Sequence, residues 1–422
     1  MKLNHIVLAA VALCGASQAF AATQYLAGSS AASVNVMKAT QNLCTDAGGT
    51  FKLFTTSTKT GSLGNVFTGV CSTDITGASY NTVAMNVSGG SMGAVTATTA
   101  PVAYLAPVQA ACTAMTGTEN LAAFPSLYSC PSSQASGTHL ADGGFMDVEG
   151  PIFDSTLDAS AFTPAGFSQV FGVGVNATLY NALQTAQFGA AASCTTNTSI
   201  KYTAACQPSV TKAQIASLIN NNAFNAAKTK GGQFLVGGTT DTTKITYCMR
   251  PQSSGTQQSA QLYFLNYAAN GANGGTEVII PEGTSKTRYA SVVNSGTSDV
   301  KNCLDDNTGY KFGMLSLENN PLAGSDTYRF VKLNGVAGAQ GASSTDSNTA
   351  TALTGEYDYV FETVAYCNVD GAAGVCPEVV QSILDNVDVS LPVGSSTAGL
   401  FLTGVESVFG RGGNSGAPYL AR

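Results

Sequence analysis

The stretch with the clearest chemical meaning is Arg250-Pro-Gln-Ser-Ser-Gly-Thr256. It follows an apolar run ending at Met249 and precedes residues with helical spacing. The free N–H groups at a helix start point outward and carry about half a positive charge. Ser254 and Thr256 add hydroxyl donors, Gly255 lets an oxyanion approach the backbone, and Arg250 can grip two oxygens with its fork. Alone, the heptapeptide reads as an ordinary helix cap beside a surface arginine. Two further small, hydroxyl-bearing turns follow strand-like runs, Gly28-Ser29-Ser30 and Gly90-Ser91-Met92-Gly93. Asp147 closes a third such run, Gly144–Val148. Each turn alone is a plain turn, and Asp147 alone is a strand-end cap. Together, three donor turns and one acid are what a buried oxyanion pocket needs. The donors wrap a tetrahedral anion, and the carboxylate accepts a proton that the anion still carries. Such an acid favours hydrogen phosphate over sulfate, which offers no proton at neutral pH.

The elements that must position these residues alternate. Strands are predicted at 24–27, 66–71, 82–87, 144–148, 167–175, 244–249, 311–317 and 357–366. Helices are predicted within 31–44 and at 177–184, 211–219, 259–267 and 375–386, the third opening on a Thr211 N-cap. This alternation predicts an α/β fold with largely parallel sheets. Gly338–Thr351 reads as a small-residue loop, and the tail after Gly410 as flexible.

Composition narrows the function. The 422 residues carry 18 Lys plus Arg against 25 Asp plus Glu, a formal charge of −7, so no basic stripe for nucleic acid is present. With 10% charged and 44% hydrophobic residues the chain is not largely disordered. Met1–Ala21 reads as a secretory signal: Lys2 and His5 precede the apolar run Ile6–Cys14, and Ala19-Phe20-Ala21 is the cleavage site. Leu13 stands where lipidation at Cys14 would need a small residue. No later segment is apolar enough to span a bilayer, so a periplasmic or secreted protein without membrane insertion is expected.

Beyond the leader lie Cys44, Cys71, Cys112, Cys130, Cys194, Cys206, Cys248, Cys303, Cys367 and Cys376. An even set in an exported chain implies disulfides. Spacing favours 44–71, 112–130, 194–206 and 367–376, leaving 248–303. No C-x-x-C occurs and His139 alone survives leader removal, so no metal is expected.

In this order the motifs resemble those of the periplasmic phosphate-binding proteins that serve phosphate ABC importers. Arg250-x-x-x-Ser254-Gly255-Thr256 is similar to their phosphate loop. Gly28-Ser29-Ser30, Gly90-Ser91-x-Gly93 and Phe145-Met146-Asp147-Val148 resemble their other binding turns. Val210–Ala216, Gly309–Met314 and Gly355–Tyr359 resemble further segments. The resemblance implies a two-lobed type II periplasmic-binding-protein fold with crossing hinge strands, stapled here by disulfides. It implies ligand contacts from Ser29, Ser30, Ser91, Asp147, Arg250, Ser254, Gly255 and Thr256, and a phosphate-like ligand. An importer permease is the implied partner, and the protein is expected to be a monomer with no cofactor and no catalysis. The chain departs from the family in carrying Met146 where the family has serine, in a long stretch between Ser91 and Asp147, and in its ten cysteines.

The expected division is 22–166 plus 318–422 for lobe one and 167–317 for lobe two. Val170–Val175 and Phe312–Leu317 are the expected hinge-region strands. The alternative is a secreted structural or surface-associated protein that keeps this fold without a transport role. Other motifs lack support. Gly413-Asn-Ser-Gly-Ala-Pro418 echoes a serine-protease turn, but a triad needs a histidine base and the α/β pattern is wrong. Ser209-x-x-Lys212 and Lys59-Thr60-Gly61 stand in the reverse order for a penicillin-binding pair. Gly172-x-Gly174-x-x-Ala177 lacks the downstream acid of a dinucleotide loop.

Overall fold

The computed structural model describes residues 22–58, 63–75, 79–115, 124–222, 226–266, 279–319, 321, 326–338, 350–369, 371–387, 400–402, 409–410, 413–414, 416 and 419–420. The expected leader and Lys59-Thr60-Gly61 lie outside them. The main strands are β1 (Ala22–Gly28), β2 (Phe51–Thr55), β3 (Val66–Cys71), β4 (Tyr80–Asn86), β5 (Gly143–Met146), β6 (Phe162–Val175), β7 (Ile245–Met249), β8 (Tyr289–Val293), β9 (Tyr310–Ser316), β10 (Arg329–Leu333) and β11 (Val360–Tyr366). The main helices are α1 (Ser33–Asp46), α2 (Ala177–Phe188), α3 (Lys212–Ile219), α4 (Gly255–Leu265), α5 (Thr297–Asp305) and α6 (Glu378–Asp385).

The fold is two-lobed α/β, and β6 ties the lobes together. Its first part, through Val170, pairs antiparallel with β11, and from Phe171 to Val175 it pairs antiparallel with β9. The strand order is β8-β7-β9-β6-β11-β5-β1-β4-β3-β2, continued by two short strands, Leu127–Ser129 and Thr113–Ala114. Two large apolar clusters lie on either side of this handover. One gathers Val173, Leu179, Ile215, Tyr247, Phe312 and Tyr359; the other gathers Leu26, Met37, Phe67, Phe145, Phe167 and Val380. The last nine residues of β6 are almost wholly buried, and from Val170 on they are apolar or glycine, as a strand covered on both faces requires.

Several expectations change. The sheets are mixed rather than largely parallel. Only the pairs that carry the site, β1 with β4 and β5, and β7 with β8 and β9, belong to the parallel set among these main strands. The segment joining β3 to β4 is shorter than the dozen or so residues a parallel crossover needs, so that pair is antiparallel. Phe312–Leu317 pairs within the second half. The chain beside the handover is instead Tyr357–Val360, where Tyr359 O accepts from Phe171 N–H at 2.9 Å and the Tyr357 hydroxyl donates to Phe171 O at 2.7 Å. β10 lies within the stretch 318–422, expected in lobe one, yet it pairs with β6 at Val173–Val175 and with Ser209–Val210. Its Val331 and Leu333 join the cluster of Val173, Tyr247 and Phe312, on the face that pairing with β6 gives them. The helix expected at 259–267 begins at Gly255, and the strand expected at 357 begins at Val360. In the tail, Asn414 is buried and brackets Glu362, accepting from its N–H at 2.8 Å and donating to its O at 3.0 Å.

The cysteines pair as the spacing predicts: Cys44–Cys71, Cys112–Cys130, Cys194–Cys206, Cys248–Cys303 and Cys367–Cys376. Among the described residues no helix is long and apolar enough to cross a membrane, and no cluster of three or more metal-ligating side chains occurs.

Candidate functional site

Five loops meet at the C-terminal ends of parallel strands, the place where open α/β sheets build their crevices. Ser29 and Ser30 follow β1, Ser91 follows β4, and Asp147 follows β5. On the opposite face Arg250 follows β7 and Thr297 follows β8. Each loop turns the chain from a strand toward a helix, so α1, α4 and α5 all begin near the same point.

On the first face the parts hold one another. The Ser29 backbone N–H donates to Phe145 O at 2.8 Å. Its Oγ accepts from the N–H groups of Ala31 and Ala32 at 3.0 and 3.1 Å, so it caps the turn that opens α1. The same hydroxyl donates to Asp147 Oδ1. Ser91 Oγ accepts from the Asp147 N–H at 3.2 Å. Asp147 is 2% exposed. Burial pushes its carboxyl up to about 6, against the Ser29 bond, the Arg250 charge and the Ser91 bond, which pull it down.

On the second face, Arg250 is 3% exposed. Its backbone N–H donates to Gln257 Oε1 at 3.0 Å, which also accepts from the Tyr247 hydroxyl. Its Nη1 donates to Thr297 Oγ1 at 3.2 Å and, at 3.5 Å, to Ser30 Oγ of the first face. Its Nε is buried without a partner. Burial lowers its pKa to about 10, opposed by Asp147 and Asp299, so the guanidinium stays charged at neutral pH. Arg250 makes no ion pair within 4.0 Å among the described residues, where the recorded pairs are Lys301–Asp326 and Lys311–Asp306.

The two faces touch. Met92 N–H donates to Ser253 O at 3.2 Å. Gly90 has φ +63°, a conformation that strains any side chain, and a Cβ there would lie 2.7 Å from Ser253 O. A Cβ on Gly255 would lie 2.2 Å from Ser91 Oγ and 2.5 Å from Asp147 Oδ2. Only glycine lets the start of α4 approach this closely. Ser254, the residue before that helix, and Thr256 are buried beside it, and Ser254 makes no side-chain cap bond.

The structure therefore brings Ser29, Ser30, Ser91, Asp147, Arg250 and Gly255 into one cluster, with Ser254 and Thr256 flanking Gly255. Sequence reasoning missed Thr297, although a signal existed: Ser295-Gly296-Thr297 repeats the Ser254-Gly255-Thr256 tripeptide, again at a helix start. It also missed a polar chain from α1 to the end of β9. Asn35 Nδ2 donates to Gln169 Oε1 at 3.1 Å, and Gln169 Nε2 donates to Glu318 Oε2 at 2.9 Å. Burial pushes the Glu318 carboxyl up to about 8. Met146, at the position before the acid, is fully buried in a small apolar cluster with Val364 and Tyr366 and offers no donor.

The decoy motifs have structural roles. Ser209 Oγ accepts from Gly335 N–H at 2.9 Å, and Lys212 Nζ sits 3.9 Å from the centre of the Tyr263 ring. Gly172 and Gly174 lie inside β6. His139 is exposed, ends a short strand and stacks on Tyr25 with ring centres 4.1 Å apart.

No family model matches the chain, and no curated protein matches it. Solved structures do. A provisionally named phosphate ABC transporter substrate-binding protein from Clostridium perfringens, solved with bound phosphate, is 11% identical over 87% of this chain and 93% of its own, with a TM-score of 0.39. PstS from Borrelia burgdorferi is 12% identical over 53% of this chain and 65% of its own, at 0.28. A provisionally named phosphate-binding protein from Planctomyces limnophilus DSM 3776 is 12% identical over 82% of this chain and 81% of its own, at 0.30.

Proposed function

We propose that this chain is an exported binding protein that holds a tetrahedral oxyanion, hydrogen phosphate foremost, between its two lobes and catalyses nothing. We divide the lobes at the handover in β6 and its neighbour: 22–170 with 360–387 on one side, 171–359 on the other.

One observation carries the reading. Arg250 is a buried cation with no carboxylate in ion-pair reach among the described residues and with an unused Nε–H. A buried charge without a partner is strongly unfavourable, and a bound anion supplies the partner. The hydroxyls of Ser30, Ser91, Ser254 and Thr256 and the first N–H groups of α4 add neutral donors. Asp147 sets the preference. Once ionised it repels a fully deprotonated anion and accepts the proton of hydrogen phosphate. Hydrogen bonds to charged groups contribute about 1.5–3 kcal/mol each. A handful, less ordering and desolvation costs, reaches micromolar affinity at about −8 kcal/mol. Donors from both faces make the ligand bind the closed arrangement better than an open one, which is all that closure requires. Delivery to an ABC importer permease, from the periplasm, is the role that the sequence resemblance adds.

Calorimetry with inorganic phosphate tests this. Wild type should bind, sulfate should bind far more weakly, and Arg250→Ala should abolish the signal. A wild type that shows neither heat nor thermal shift with phosphate, sulfate, arsenate or molybdate would sink the proposal. The second reading, a structural or surface protein, would then stand; five disulfides in an exported chain favour it.

A further inference from the structure

We infer that Thr297, at the start of α5, is a further positioning residue of the anion site: it holds the Arg250 fork and, through Ser30, links the second lobe to the first. The inference deepens the oxyanion-binding reading and rests on it.

The geometry is a triangle. Thr297 Oγ1 and Ser30 Oγ lie 3.0 Å apart in a hydroxyl–hydroxyl bond. Arg250 Nη1 donates to Thr297 at 3.2 Å and to Ser30 at 3.5 Å. Thr297 and Arg250 follow adjacent parallel strands of one half, β8 and β7, whereas Ser30 follows β1 of the other. Among the described residues Thr297 and Ser30 are the side chains that bond the guanidinium, and its Nε is left without a partner. Thr297, the nearer of the two, holds the fork from the second lobe's side.

Counting hydrogens gives the hydroxyl pair a second consequence. Each hydroxyl has one hydrogen and can accept twice. Both oxygens already accept from Arg250, and the bond between them uses one hydrogen. The other hydrogen remains for a ligand oxygen, beside the unused Arg250 Nε–H. The start of α5 also abuts the first lobe elsewhere: a Cβ on Gly296 would lie 3.4 Å from Asn65 Oδ1. The nearby Asp299 carboxylate does not compete for the fork, since its Oδ2 is held by the Ser295 hydroxyl and by Gly296 N–H at 3.0 Å.

Two variants of the full exported chain test this. Thr297→Val keeps the shape and removes the hydroxyl; Thr297→Ser keeps the hydroxyl and removes a methyl. Titration with inorganic phosphate should show Thr297→Val weakened about tenfold or more, the loss of one charge-assisted bond, and Thr297→Ser within about threefold of wild type. Without phosphate, the unfolding midpoint of Thr297→Val should fall, because the buried Arg250 fork loses a partner, while that of Thr297→Ser should stay with wild type. Wild-type affinity in Thr297→Val overturns the inference. So does an equal loss of affinity in Thr297→Ser, because that assigns the effect to packing rather than to the hydroxyl. Binding by wild type that Thr297→Val retains refutes only this inference, whereas absence of binding in wild type removes the oxyanion reading and this one together.

Discussion

Asp147 ties stability to pH and, in the proposed function, to selectivity as well. Its carboxyl is buried beside Arg250 yet out of ion-pair distance, so the desolvation of its charged form is only partly offset. In an unfolded chain it ionises near 3.8, in the fold near 6. Between those values the folded state holds a proton that the unfolded state has released. Rising pH therefore favours unfolding across that window, and the loss levels off above about 6. The integrated effect is on the order of 3 kcal/mol. Asp147→Asn has no such group. In phosphate-free buffer its stability relative to wild type should rise from pH 4 to about pH 6 and then hold constant. Thermal unfolding of both proteins along a pH series checks this, and parallel curves would refute it. The variant should also lose the preference for hydrogen phosphate over sulfate, because an amide repels neither and can donate to both.

At the level of elements, what the sequence made legible was whatever depended on local chemistry. Thr211 caps α3 through its Oγ1, as expected, and Gln214 completes a capping box with it. The strand-then-turn runs ending at Ser29, Ser91, Asp147 and Arg250 all form. Pairing partners were not legible. Nothing local to Arg329–Leu333 says which half it joins, since the choice is made by distant Val173–Val175. The Ser-Gly-Thr repeat at 295–297 was in the sequence, but its place beside Arg250 depends on β8 lying next to β7, a pairing nothing local to it announces. The Cys248–Cys303 disulfide fixes that juxtaposition, tying the end of the strand that carries Arg250 to the helix that opens with Thr297. Its cysteines are 55 residues apart. Closing a loop of that size contributes about 4 kcal/mol by constraining the unfolded chain. Replacing both cysteines with serine should lower stability by about that amount in denaturant unfolding. It should also weaken phosphate binding more than replacing Cys367 and Cys376, whose staple joins the chain just after β11 to the chain just before α6. Equal losses of affinity from the two replacements would refute the link between this staple and the site.

For the whole molecule the question is how a chain of formal charge −7 attracts an anion. Two kinds of field act on the ligand, and their ranges differ. The net charge repels phosphate, but over distances that salt screens, with a Debye length of about 8 Å at physiological ionic strength. In the proposed binding mode the attraction comes from Arg250, fixed hydroxyls and helix-start N–H groups at hydrogen-bond range, in a cleft where Arg250 and Asp147 are already buried. Ions cannot enter that space to screen it. Adding sodium chloride from about 0.02 to 0.5 M should therefore weaken the repulsion and leave the attraction nearly intact. Phosphate affinity should change by less than about threefold, and the association rate should rise rather than fall. A site built from an exposed basic patch behaves in the opposite way, losing affinity steeply as salt rises. Stopped-flow association and calorimetry across that salt range separate the two. A steep fall in both rate and affinity would mean that long-range attraction governs capture, and a buried, lobe-enclosed Arg250 could not be its source.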